Sequence, residues 1–139
     1  MKRLLGVLSL VLCAGALVLM ILPTYTTAFD SDDRVRRFTS HGWFDPFLLV
    51  YLDVVPSIAL VCGLVMAAGL VVGLARGRAP GWVAVPGFVA SLLLLLFGYN
   101  ASAAGFVSGA GRLVAPLLAV ASALSAIMWW LSRRAAGHR

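Results

Sequence analysis

Residues 4–22 contain no charged side chain, and three later stretches of similar length are nearly as apolar. A helix needs about 20 apolar residues to cross a hydrocarbon core of roughly 30 Å. Inside that core every backbone N–H and C=O must be paired within the protein, so spanning segments are helices or closed barrels. Runs of this length predict helices. The expected spans are approximately 4–22, 46–75, 82–101 and 113–132. Pro23 closes the first, while Pro56, Pro86 and Pro116 fall inside the others. Membrane helices tolerate proline when neighbours satisfy the freed carbonyl. From Pro46 to Ala75 the second run would be about 45 Å long, so it must tilt, kink at Pro56 or project outside. The predicted fold class is all-α: an integral membrane four-helix bundle, one domain over residues 1–139.

The first run has a second reading, as a signal peptide: Lys2 and Arg3, an apolar stretch, then Thr26-Thr27-Ala28. A signal peptide's apolar region is usually about 7–15 residues. The 19 residues from Leu4 to Leu22 favour a retained helix.

Charged residues make up 12% of the chain, against roughly 25% in soluble domains. So few charges cannot coat a water-facing surface, which excludes a soluble globular enzyme. The five acids are all aspartates, Asp30, Asp32, Asp33, Asp45 and Asp53. No basic stripe interleaved with aromatics is present, so the net charge of +6 is not read as nucleic-acid binding. The bases set an orientation. Lys2, Arg3, Arg76, Arg78, Arg133, Arg134 and Arg139 share one side; Arg34, Arg36, Arg37 and Arg112 share the other. The richer side is expected to be cytoplasmic, with both termini inside and residues 23–45 forming an outer loop. Trp129 and Trp130, beside Arg133 and Arg134, form an inner interfacial anchor.

Helices associate in lipid through small residues that let backbones approach. The candidate packing positions are Ala59, Gly63, Ala67, Gly69, Gly73 and Gly77 in the second span, and Ala115, Ala119 and Ala123 in the fourth. These stripes are expected to pack the chain's own helices before a second copy. Cys13 and Cys62 both fall in apolar spans, which predicts neither a disulfide nor a metal site.

The segment from Phe29 to Pro56 carries the candidate binding or structural residues. If helical, Asp30–Arg34, Asp32–Arg36 and Asp33–Arg37 make i,i+4 pairs in the favourable order; otherwise the stretch is a self-neutralising loop. Asp45 before Pro46 is a good helix start, and Trp43 belongs at the outer interface. Asp53, close to Tyr51, is the one charged residue within the expected spans, and such residues are functional candidates by default. A structural tie to Arg112 is the preferred reading, ahead of an ion or substrate site and of simple solvation.

Motifs for phosphate loops, zinc hydrolysis, haem ligation and nucleophilic triads are missing from the sequence. No cofactor is expected. The order Trp43-Phe44-Asp45-Pro46 before a long apolar helix resembles small, uncharacterised four-helix membrane proteins of actinobacteria. The resemblance covers residues 41–56 and the general hydropathy, and it implies a bacterial plasma membrane. The expected function is a non-catalytic accessory or scaffold subunit, with the lipid bilayer and a larger membrane protein, or a second copy, as partners. The alternative is a homo-oligomeric channel or small-solute transporter using Asp53 and the outer Arg cluster. An enzyme acting on lipid ranks third.

Overall fold

A computed structural model describes residues 2–23, 25–30, 36–41, 54–77, 80–98, 105–107 and 109–136. Four helices dominate it. Helix α1 spans Lys2–Ile21 and α2 spans Val54–Ala75. Helix α3 covers Ala84–Leu93, entered through a 3₁₀ turn at Gly81–Val83 and continued by a π turn at Leu94–Gly98. Helix α4 spans Val114–Ala136 after a 3₁₀ turn at Gly109–Leu113. The helices α1, α2 and α4 are long and apolar enough to cross a membrane, and α3 is a shorter apolar helix.

The helix ends follow local chemistry. The Leu22 N–H donates to the Val18 carbonyl at 3.2 Å, and Pro23, with no N–H, ends α1 there. Gly77 ends α2 at φ 66°, a left-handed conformation that costs glycine nothing. Its N–H donates to the Leu74 carbonyl at 3.2 Å, as in helix-ending loops. Gly77 is thus a terminator rather than a packing residue. Pro56, Pro86 and Pro116 all lie in the first turn of their α-helices, where an N–H has no i−4 acceptor and proline costs little.

Each helix runs opposite to the next in sequence. A Cβ at Gly6 would meet Leu74 and Met128, whereas one at Gly63 would meet Leu17. Gly69 lies against Trp82 and Val83, and Gly81 lies against Trp129. One end therefore gathers the start of α1, the end of α2, the start of α3 and the end of α4. Helix α1 touches α2 and α4, and α3 touches the same two.

The buried positions step by three and four: Gly6, Ser9, Cys13, Ala16 and Met20 on α1, and Pro56, Ala59, Gly63, Met66, Leu70 and Gly73 on α2. On α4 the seam is Ala115, Leu118, Ser122 and Ser125. This spacing is that of helices crossing at about +20°. Small residues such as Ser9, Ala16 and Ala59 face inward together with Met20, Met66, Leu70 and Leu118, while Leu4, Val7, Val11, Val61, Leu64 and other large apolar side chains face outward. Hydroxyls and a thiol add bonds between helices. Ser9 Oγ donates to the Ala121 carbonyl at 2.6 Å, and Ser91 Oγ to that of Ala115 at 2.9 Å. Cys13 Sγ donates to the Gly63 carbonyl at 3.4 Å. In membranes such bonds average about 0.6 kcal/mol.

At the opposite end the chain forms a three-stranded antiparallel sheet, which the all-α expectation did not include. Strand β1 is Tyr25–Asp30, β2 is Arg36–His41 and β3 is Gly105–Val107, in the order β2-β1-β3. Aromatic and threonine residues in Tyr25-Thr26-Thr27 favour extended backbone. Of the stretch read as either a loop or a short helix, residues 31–35 lie outside the described residues, Asp30 ends β1 and Arg36 begins β2. They are register partners across the hairpin. Strand β3 pairs Phe106 with Thr26, which joins the second connection to the first.

Candidate functional site

The end opposite the sheet carries an arginine–tryptophan layer. Its position follows from the antiparallel helices, which bring Arg3, Arg76, Arg133 and Arg134 to one level of the molecule. Arg133 lies over the Trp129 ring, 4.5 Å from its centroid, and Arg134 lies over Trp130 at 3.6 Å. Both pairs are i,i+4 neighbours on the last turns of α4, the separation at which side chains meet on a helix. Exposed cation–π contacts of this type contribute about 0.5–1 kcal/mol each. Trp129 packs against the entry to α3, where a Cβ on Gly81 would stand 2.6 Å from its Cε2.

Beside this layer runs a half-open groove of about 650 Å³. Val65, Ala68, Gly69, Val72 and Arg76 line it from α2, and Pro80 and Trp82 line it from the entry to α3. Among the described residues Arg76 is the one charged residue that lines it. Chemically the described residues offer an apolar trough, the Arg76 cation and an aromatic edge. That set can hold an amphiphilic anion. Sequence reasoning placed Arg76 among the inner bases but missed Trp82 and the groove. The available signal was the apolar face 65/68/69/72 ending on an arginine, followed six residues later by a tryptophan.

The expected site at the other end is only partly visible. Asp53, Tyr51, Trp43, Asp45 and Arg34 lie outside the described residues. Arg36 and Arg37 stand on β2, in register with Asp30 and Phe29. Arg112 is exposed on the 3₁₀ turn before α4. Among the expected packing residues, Gly63 is buried against Leu17 and Leu118, and Gly69 against Val83 and Trp82. Gly73 is also buried. Ala119 and Ala123 are half-buried and flank the α4 seam rather than forming it. Cys13 and Cys62 are free thiols.

Compared with known proteins, the chain matches no family model, no curated protein and no solved structure.

Proposed function

We propose that this chain is a four-span plasma-membrane protein of a bacterium, with both termini cytoplasmic. In this reading the helices form a four-helix bundle that serves as a non-catalytic accessory or scaffold subunit of a larger membrane complex. The observation that carries the reading is the pairing of β3 with β1. Strands from two separate connections end in one sheet, mounted on helices that pack closely beneath it. Such a platform suits a persistent protein contact. The helix interior supports the same role. At Gly87 the backbone of α3 meets Ser122 and Met66, and Ser122 Oγ donates to Met66 Sδ at 3.5 Å. The core hydroxyls of Ser9 and Ser91 are committed to neighbouring helices. A carrier would need polar groups turned toward a solute path.

The test is size in mild detergent, with identification of co-eluting proteins. The expected result is a stoichiometric complex with one larger membrane protein. A pure symmetric oligomer that conducts a solute in liposomes would replace this reading with the transporter. A fluorescent reporter fused after Arg139 should light up in the cytoplasm; a dark fusion, active only when exported, would reverse the orientation.

The Asp53–Arg112 tie belongs to the same proposal. Asp53→Asn and Arg112→Gln should each lower the thermal midpoint in detergent. The double variant should lose little more than either single one, because both remove one interaction. Unchanged midpoints, with unchanged partner binding, would make Asp53 a solvated residue.

A further inference from the structure

We infer that the groove between α2 and the start of α3 seats one acyl chain of an anionic phospholipid, with the lipid phosphate held at Arg76. This inference rests on the transmembrane reading, which is tested separately by the lysine substitutions in the Discussion. The groove has the right length. From Val65 to Arg76 is eleven residues along one helix face, about 16 Å. Half of a roughly 30 Å hydrocarbon core is about 15 Å. The trough therefore reaches one leaflet deep, from headgroup level to near the midplane.

Its chemistry is graded in the same direction. The deep part is lined by Val65, Ala68 and Gly69, Val72 follows one turn on, and among the described residues the one lining charge is Arg76 at the end of α2. Trp82 forms a side wall whose ring edge reaches Gly69, and it is 54% exposed, as an interfacial ring would be. The wall is close because Gly69 has no side chain. A Cβ there would stand 2.7 Å from Val83 Cγ2 and 3.2 Å from Trp82 Cη2.

Among the described residues no carboxylate lies at this end, Asp30 ending β1 at the other. All five aspartates lie between residues 30 and 53, in the segment joining the far ends of α1 and α2. The 22 residues of α2 separate that end from Arg76 by about 33 Å. That distance is several screening lengths at physiological salt. Arg133 and Arg134 are placed over tryptophan rings. A guanidinium offers phosphate two parallel N–H donors, and basic pockets between membrane helices bind anionic headgroups.

The experiment uses the full chain in a neutral detergent, with bound lipid counted by native mass spectrometry. The probes are phosphatidylglycerol, phosphatidylcholine and inorganic phosphate. One phosphatidylglycerol should be retained per chain in preference to phosphatidylcholine, and inorganic phosphate should not displace it. Arg76→Gln should weaken phosphatidylglycerol about fivefold, the loss of one lipid-facing charge at about 1 kcal/mol, and leave phosphatidylcholine unchanged. Ala68→Trp, at an exposed position, fills the trough and should abolish retention; Val65→Trp does the same from its deep end should the first variant misfold. Equal retention of the two lipids would overturn the proposal, as would lipid persisting in a folded trough-filling variant. Equal losses in Arg76→Gln and Arg134→Gln would reduce it to diffuse attraction by a basic surface. Displacement by inorganic phosphate would leave an anion site with no acyl chain.

Discussion

A Gly87→Leu variant should lose its folded population in detergent, the largest effect expected from any single substitution in the described helices. At Gly87 helix α3 packs directly against α2 and α4. A Cβ there would overlap Ser122 Oγ and Met66 Sδ and would lie 3.5 Å from the Leu118 carbonyl oxygen. The methionine tip can move, but the serine is short and the Leu118 backbone is fixed in a helix. Overpacking of this kind typically costs about 1–3 kcal/mol, and that range is the expectation for Gly87→Ala. Leucine adds three further carbons with no space to enter, so α3 must separate from α4. Ser122→Gly should recover part of the loss in the Gly87→Ala background, because it removes the atom the new methyl strikes. The readout is the thermal midpoint and helix content of monodisperse protein. A Gly87→Leu variant as stable as the parent would mean that α3 does not cross its neighbours at this residue.

The second large effect separates a membrane protein from a water-soluble one. Val11 lies near the middle of α1 and is 59% exposed, and Leu64 lies near the middle of α2 at 52%. On a water-facing surface, lysine at either position would change stability by no more than about 0.5 kcal/mol. At the centre of a spanning helix, lysine costs about 2.5–3.5 kcal/mol of insertion free energy. Val11→Lys and Leu64→Lys should therefore cut the fraction inserted into membranes more than tenfold, measured by resistance to carbonate extraction. Native, soluble, helical protein carrying either lysine would overturn the transmembrane reading.

The helices were legible because charge is excluded from them and their ends carry local chemistry. Pro23 lacks a donor, and Gly77 adopts a left-handed turn. The sheet was less legible. Thr26, Thr27 and Phe29 have strand-forming character, but three of the four bases on that side and three aspartates sit close by, and a charged stretch reads equally well as a surface helix or a loop. The pairing of Thr26 with Phe106 joins residues about 80 positions apart, and no local propensity encodes that. The candidate residues around Asp53 lie outside the described part of the fold. The groove escaped notice because it needs two helices: α2 supplies its floor, and Trp82 reaches it only because the chain reverses at Gly77.

The inward faces show most clearly where sequence stops. In a soluble protein, polarity marks which side of a helix is buried. Here both sides are apolar, so hydropathy carries no contrast. Size carries only part of it: on α1 Ser9, Cys13 and Ala16 face in and Val7, Val11 and Val18 face out, yet Met20 is also fully buried. Four-residue spacing of alanines pointed to Ala115, Ala119 and Ala123 on α4. Packing against two antiparallel neighbours selects the three-and-four series Ala115, Leu118, Ser122 and Ser125 instead. Sequence alone determined that the chain forms long apolar helices with its acids confined to one connection, because those features depend on composition along the chain. Tertiary structure decided which small residues meet, which two connections share a sheet and where Arg76 finds an apolar trough. Those outcomes depend on close approach between distant segments, for which the single chain carries no local signal.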